Sequence, residues 1–369
     1  MTVTTTTTTT TRVLIAHEWL TALGGSDKTV QAMVAALPEC RLVTAIADPK
    51  LVGELLAGQP VERLWTDRLP GARARWRRYG PVVAAAWSAM RVRDADLLIS
   101  SSHFATKAAG VGFSGPHLCY CYTPMRVAWR PDLELHRLRP AWRPVAKVAL
   151  PLVRGWDCRT ARSVTAFAGI SHCVVDRIRQ AYDRDAQCIF PPVDVAAFAG
   201  VPRRPGRHFL AFGRLIPYKR FDLAVRVCTA NGYPLVVAGT GPDDARLRAM
   251  AGPTVRFLGY VDDARYRELL SESIALLFPG EEDFGIVPVE AQAAGCPVVA
   301  LGRGGALDTV QEGTSGVLFP EATESDLEAA IASLLSRAWD PVTIRRWSER
   351  FSEARFRQEF LAFVAPYLA

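Results

Sequence analysis

The run Phe278-Pro279-Gly280-Glu281-Glu282-Asp283-Phe284-Gly285-Ile286-Val287-Pro288-Val289-Glu290-Ala291 ends an apolar stretch in three consecutive carboxylates, then a glycine, then a helical pattern. Gly285 permits close backbone approach, and the free amides of Ile286 and Val287 at the start of the helix can hold an anion. Glu290 follows about one helical turn in and faces the same end, so Glu282 and Glu290 offer two carboxylates to the hydroxyls of a polyol such as a sugar. Two glutamates eight apart would ordinarily be surface charge, and only the whole string gives them meaning.

A second run, Phe212-Gly213-Arg214-Leu215-Ile216-Pro217-Tyr218-Lys219-Arg220, leaves an apolar stretch with two cations poised at its end. Arg214 and Lys219 in that place suit a diphosphate, whose charge grows as its bond to a leaving carbon breaks. A third run, His17-Glu18-Trp19-Leu20-Thr21-Ala22-Leu23-Gly24-Gly25-Ser26-Asp27-Lys28, sets a glycine pair just before a helix, where backbone amides can approach a phosphate or an acceptor. By itself a glycine pair at a turn is common.

The elements that must position these groups alternate along the chain. Apolar runs bounded by turn residues and followed by helical patterns predict βα units around parallel sheets. In the first half, strands are expected at 12–16, 97–100, 118–122 and 164–168, with helices at 26–37 and 171–182, the latter capped by Ser171. In the second half, strands are expected at 208–213, 234–238, 255–258, 274–278, 297–301 and 315–319. Helices are expected there at 219–231, 242–251, 263–271, 285–294, 304–311 and 324–336. A last amphipathic stretch, Val342 to Tyr367, reads as one long helix returning to the first domain. Pro191 and Pro192 can continue neither a helix nor a central strand, and with the basic Pro202-to-Gly206 segment they mark the domain boundary. The division expected is a Thr-rich tail over 1–11, a Rossmann-like domain over 12–198, a second over 199–345 and a crossing helix over 346–369. The ligand is expected at the carboxyl ends of the strands, in the cleft between the domains.

Composition narrows the rest. At 369 residues, with 49% hydrophobic and 22% charged, the chain fits two soluble α/β domains better than one core. No apolar run is long enough to span a bilayer, and the Thr tract lacks the layout of a secretion signal, which places the protein in the cytoplasm. The eight cysteines show no Cys-x-x-Cys pair, so they are expected reduced, with Cys119 and Cys121 as small core residues. No Asp-x-Asp ligand pair falls in the expected cleft, and no metal is expected. Arg73, Arg75, Arg77 and Arg78 beside Trp76, Tyr79 and Trp87, and a second basic stretch from Arg137 to Lys147, could lie on an anionic membrane surface at the inner face. No nucleic-acid module matches. Gly239-Thr240-Gly241 lacks the third glycine of a dinucleotide fingerprint, since Asp244 stands there, and there is no Gly-Lys-Ser/Thr phosphate loop.

The motifs resemble those of the large family 4 of retaining GT-B glycosyltransferases, and within it a branch rich in bacterial mannosyltransferases, from Arg12 to about Phe360. The Gly213-to-Arg220 turn, Pro191-Pro192-Val193-Asp194, the Glu282-to-Glu290 string, Ser100-Ser101-Ser102-His103 and Thr123-Pro124-Met125-Arg126 carry the likeness. The resemblance implies an α/β GT-B fold of two doubly wound Rossmann-like domains facing a central cleft. It implies metal-independent, retaining transfer of a hexose from a nucleotide sugar, GDP-mannose foremost, with no further cofactor. The acceptor would be a saccharide, a lipid-linked glycan or a secondary metabolite. By the same resemblance Arg214 and Lys219 bind the donor diphosphate, and Glu282, Asp283, Phe284 and the amides after Gly285 contact sugar and phosphate. Glu290 then holds the ribose, Gly24 and Gly25 line the phosphate site, and Tyr260 and Val261 lie near the base. Two departures stand out. Tyr122 occupies the place of a histidine found in many relatives, leaving His103 or Tyr122 as the sugar-contacting group, with a backbone-bonded loop histidine as the plainer reading of His103. Asp308 stands where glutamate is commoner. A UDP-hexose donor and a catalytically silent nucleotide-sugar-binding protein are the alternatives.

Overall fold

A computed structural model describes residues 11–56, 58–131, 143–206 and 208–368. Residues 1–10 of the expected 1–11 tail and the 137–142 part of the second basic stretch lie outside the described residues. The chain divides into two compact units. The first takes residues up to Ile170, Val174–Ile189 and Arg357–Ala369, and the second takes Ser171–Cys173 and Phe190–Phe356. The boundary thus falls at Ile189, ahead of the proline pair rather than at 198, and the return to the first unit begins at Arg357 rather than 346.

The first unit holds a seven-stranded, all-parallel sheet. Its strands are β1 (Val13–His17), β2 (Arg41–Thr44), β3 (Val61–Arg63), β4 (Leu97–Ser102), β5 (His117–Cys121), β6 (Ala166–Gly169) and β7 (Ala186–Cys188). Their order is β3-β2-β1-β4-β5-β6-β7. The sequence is wound outward in two directions from β1 and β4, so the loops after these two strands diverge and leave a crevice at their carboxyl ends. Leu14, Ala16, Val43, Val83, Trp87 and Leu98 form the buried cluster on one face.

The second unit holds a six-stranded parallel sheet in the order β10-β9-β8-β11-β12-β13. Its strands are β8 (His208–Phe212), β9 (Leu235–Ala238), β10 (Val255–Gly259), β11 (Ser273–Phe278), β12 (Val298–Leu301) and β13 (Gly316–Phe319). Alternate residues enter different cores: Phe209, Ala211, Val237, Leu277 and Val299 lie in one cluster, and Leu210, Val236, Leu276, Phe278 and Val298 in the other. A strand covered on both faces must be apolar at every position, which is why these strands were readable as unbroken apolar runs. Here the winding reverses between β8 and β11.

Two expectations change. The stretch from Val342 to Tyr367 is not one helix. It is Pro341–Ser348, capped by the Asp340 carboxylate, and Glu353–Val364, separated by a 3-10 turn over Glu349–Phe351. Phe351 is buried and its carbonyl accepts the Val193 amide at 2.9 Å, so Ser352 is drawn into an extended bridge with Val193 and the helix cannot run through. The expected helix over 304–311 shrinks to Ala306–Thr309. The helix His172–Tyr182 follows directly on Ser171, the expected cap position, and the Ser171 hydroxyl donates to the Asp283 carbonyl at 2.5 Å.

Candidate functional site

In the second unit the cationic turn leaves β8 and the acidic loop leaves β11, the two neighbouring strands at which the winding reverses. Glycine contacts fix these loops against each other. Gly213 and Gly239 have φ of +134° and +136°, and a Cβ at Gly239 would stand 1.9 Å from the Gly213 carbonyl oxygen. A Cβ at Gly280 would stand 2.6 Å from Lys219 Cα, and one at Gly305 2.2 Å from Phe284 Cα. Backbone is therefore laid on backbone, and the Gly305 amide donates to the Glu282 carbonyl at 2.8 Å.

This floor brings Lys219 Nζ to 2.9 Å from Glu282 Oε1, with the two side chains 14% and 21% exposed. The contact is an ion pair outside good hydrogen-bond direction, since that oxygen has no directed donor. Arg214 is exposed at the same strand end and makes no hydrogen bond or ion pair among the described residues. Gly285, at φ +92°, precedes the helix Ile286–Ala293, and no side chain caps that end. The amides of Ile286 and Val287 are thus left without intrahelical partners, at the positive end of the helix dipole. Phe284 is buried against Phe190 and Phe351, which anchors the loop from below.

Glu290, one turn into that helix, accepts a hydrogen bond from the Tyr266 hydroxyl at 3.1 Å. Tyr266 stacks on Phe212 at 3.7 Å, and burial, then the adjacent Glu290 carboxylate, push its hydroxyl well above the ordinary range. The Asp283 carbonyl accepts from Ser171, and its side chain is half-buried. Tyr260 is 80% exposed and Val261 half-buried, directly after Gly259 at the end of the edge strand β10. Asp308 spends both oxygens on His172, taking its amide at 2.9 Å and its Nδ1 at 2.6 Å.

The first unit treats its polar residues differently. Glu18, just past β1, is fully buried. Its Oε1 accepts the amides of Phe104, Ala105 and Thr106 at 2.8, 2.6 and 3.0 Å and the Thr106 hydroxyl at 3.1 Å. The loop after β4, and with it His103, is thereby pinned to the end of β1. His103 is half-buried with its ring edge-on to Trp19 at 4.9 Å. Among the described residues it makes no hydrogen bond, so the backbone-bonded reading of this residue does not hold. Loss of water around the ring holds its imidazole down to about 4.

Beside it, Tyr122 Oη lies 2.9 Å from Ser101 Oγ and donates to the Ser26 carbonyl at 3.2 Å. Ser101 Oγ lies 3.0 Å from His17 Nδ1, and His17 Nε2 is 3.7 Å from Asp27 Oδ1. The order Ser101, His17, Asp27 outlines a nucleophile, base and acid, but all three are buried and Ser101 is already held by Tyr122, so no substrate carbonyl can reach it. Gly24 is itself the N-cap of the helix Gly25–Ala36, and a Cβ on it would stand 3.2 Å from Asp27 Oδ2. The chain of groups is a support beneath the Gly24-Gly25 turn.

The sequence reading therefore named Lys219, Glu282 and the Gly285 helix start, which the fold brings together, and missed Glu18, His17 and Gly280. Only the register that pairs His17 with Ser101 of the Ser-rich β4 reveals the buried group around Glu18. A groove of 590 Å³ lined by Phe167, Arg184, Phe363 and Tyr367 lies where β6 begins, at the opposite end of the sheet from these groups.

Two doubly wound Rossmann-like units in tandem define the GT-B class. Over 96% of this chain and all of the other, the structure resembles Anabaena Alr3699/HepE in complex with UDP, with a TM-score of 0.73 at 15% identity. Residues 200–351 match the family described as glycosyl transferases group 1. It is 34% identical over 218 residues to a phosphatidyl-myo-inositol mannosyltransferase of Mycolicibacterium smegmatis, covering 50% of this chain and 56% of that one. It is 35% identical over 159 residues to a GDP-mannose-dependent alpha-mannosyltransferase of Mycobacterium tuberculosis, covering 39% of this chain and 41% of that one. The chain spans about half the length of these curated relatives.

Proposed function

We propose that the protein is a metal-independent, retaining hexosyltransferase of family 4 that uses GDP-mannose and glycosylates a saccharide, lipid-linked or secondary-metabolite acceptor. One observation carries this reading: Lys219 and Glu282 meet at 2.9 Å, on loops leaving the two strands where the second sheet reverses. A cation paired only with a carboxylate, beside an uncapped helix start, suits a ligand that bears both a diphosphate and hydroxyls. Arg214 and Lys219 then receive the diphosphate, with the amides of Ile286 and Val287. Glu282, Asp283 and Phe284 contact the sugar, Glu290 the ribose, and Tyr260 and Val261 the base. Gly24, Gly25 and His103, at the corresponding edge of the first unit, serve the phosphate and the acceptor.

In the transfer the bond between the anomeric carbon and the phosphate oxygen breaks, and the acceptor oxygen bonds to that carbon on the same face. The acceptor proton passes to the departing phosphate oxygen, so no protein nucleophile is consumed. Arg214 and Lys219 stabilise the charge that appears on the diphosphate. The mannosyltransferases among the relatives support GDP-mannose. The UDP in the HepE structure supports a UDP-hexose as the second reading.

A thermal-shift comparison of GDP-mannose with UDP-glucose separates the two, because the donor that binds the folded state raises its melting temperature. Lys219→Ala is expected to lower turnover about a hundredfold, equivalent to about 3 kcal/mol of transition-state stabilisation, with the melting temperature little changed. Full turnover in this variant with the true donor and acceptor refutes the assignment. Donor binding without hydrolysis or transfer by the wild type points instead to the silent binding protein.

A further inference from the structure

One face of the helix Arg143–Ala161 is open to solvent. Pro144, Val148, Pro151, Leu152, Gly155 and Arg159 recur at steps of three and four residues and are all exposed, Val148 by 80% and Leu152 by 78%. At 100° per residue these positions form a single stripe, and Asp157 lies opposite it.

The buried side fixes that orientation. Asp157 is fully buried and ion-paired to Lys107, and it also accepts from Trp129 Nε1 and the Tyr182 hydroxyl, each at 2.8 Å. Arg154 Nε donates to the Ala128 carbonyl at 2.8 Å. The helix cannot roll to hide Val148 and Leu152 without breaking this set, which leaves the cost of their exposure in place.

Charge selects the occupant. Asp157 is the helix's sole acidic residue and it is consumed inside, whereas Lys147 and Arg159 are exposed beside and at the end of the stripe. The exposed Arg73, Arg75, Arg77 and Arg78 precede the helix Gly80–Ala89, to which Trp156 is joined through Ser88 at 3.3 Å. A second copy of the chain would bring like charges together, while an anionic lipid surface offers both apolar depth and opposite charge. No helix among the described residues is long and apolar enough to cross a membrane.

We propose that this stripe seats the first unit on an anionic phospholipid surface, with Val148 and Leu152 inserted among the acyl chains and Lys147 and Arg159 at the headgroups. Trp129 and Ala128, which the helix holds, follow directly on the Thr123-to-Arg126 segment at the carboxyl end of β5, so the seat lies next to the edge where the acceptor is assigned. Docking does not depend on the transfer reaction. Its use, presenting a lipid-linked acceptor, rests on that reading.

The test is sedimentation of the full chain with vesicles of phosphatidylcholine, with and without phosphatidylglycerol. Wild type is expected to pellet with the anionic vesicles and to be weakened by salt. Val148→Asp/Leu152→Asp is expected to lower partitioning about a hundredfold, since each apolar side chain removed from lipid costs about tenfold or more. Lys147→Glu/Arg159→Glu is expected to lose binding to anionic vesicles alone. The melting temperature and donor-induced thermal shift of both variants should match wild type, because every altered side chain is exposed. Wild type left in the supernatant overturns the proposal, as does partitioning that the apolar variant leaves unchanged. A wild-type dimer that the apolar variant splits, without vesicle binding, assigns the stripe to a second copy. A working transferase with no vesicle binding sinks the docking alone, and vesicle binding without any donor shift sinks the reaction alone.

Discussion

The carboxyl edges of the two sheets are built from similar residues and put them to opposite uses. In the first unit Glu18, His17, Ser101 and Asp27 are buried and turned toward one another, with Glu18 holding three successive amides. In the second unit Arg214 is exposed, Lys219 and Glu282 keep partial access to water, and the helix start at Gly285 is uncapped. The first edge turns its polar groups inward and buries them, and the second keeps its cations and its helix start within reach of a ligand. Polar residues at a sheet's switch point therefore do not by themselves mark a binding edge; their access to solvent does.

That contrast predicts different consequences for removing a charge on each side. Glu18→Ala strands three buried amides and should lower unfolding stability by about 4 kcal/mol, read by denaturant melts. A loss under about 1 kcal/mol would mean the first edge is not the internal brace described here.

An intermediate effect comes from His117, which opens β5 with Nε2 2.9 Å from Ser100 Oγ. Burial holds its imidazole down to about 3, below the ordinary value of 6.5. The unfolded chain takes up a proton that the folded chain refuses, so the stability is present above pH 6.5 and is lost as pH falls toward the folded value. Between pH 7 and pH 5 the loss should be about 2 kcal/mol, with His103 adding a smaller contribution of the same sign. His117→Asn should flatten that part of the profile even if it lowers stability at neutral pH, and an unchanged slope would break the argument.

The smallest effect belongs to the open edge. Arg214→Ala should leave the melting temperature within error and weaken donor binding about tenfold, measured by calorimetry. If it destabilised the fold as Glu18→Ala does, the two edges would not differ in kind.

The same difference governed what the sequence revealed. The strands of the second unit were legible almost to the residue, because a doubly covered strand is an unbroken apolar run ended by Gly213, Gly239 or Gly280. In the first unit β2, β3 and β7 are four, three and three residues long, and β3 and β7 are polar edge strands without such a run. The Arg143–Ala161 helix escaped notice because Pro151 interrupts its pattern and its apolar stripe faces outward, so periodicity and burial point in opposite directions. Lys219 and Glu282 could be brought together from sequence since each lies in the loop that follows a strand. Glu18 could not be assigned from sequence, because an acidic residue beside a strand end is ordinarily solvated, and only the register with the Ser-rich β4 reveals that it is not.

The loops under the second unit's edge touch through bare main chain: Gly239 on Gly213, Gly280 on Lys219, Gly305 on Phe284. Ground laid that way tolerates no ornament, since even a methyl group would have to displace the neighbouring strand end. Descendants of this chain could be retuned for other ligands only from the perimeter, at positions such as Tyr260 and Leu307 whose side chains stand clear in water. Diversity is confined to the rim because the foundation has no room to vary.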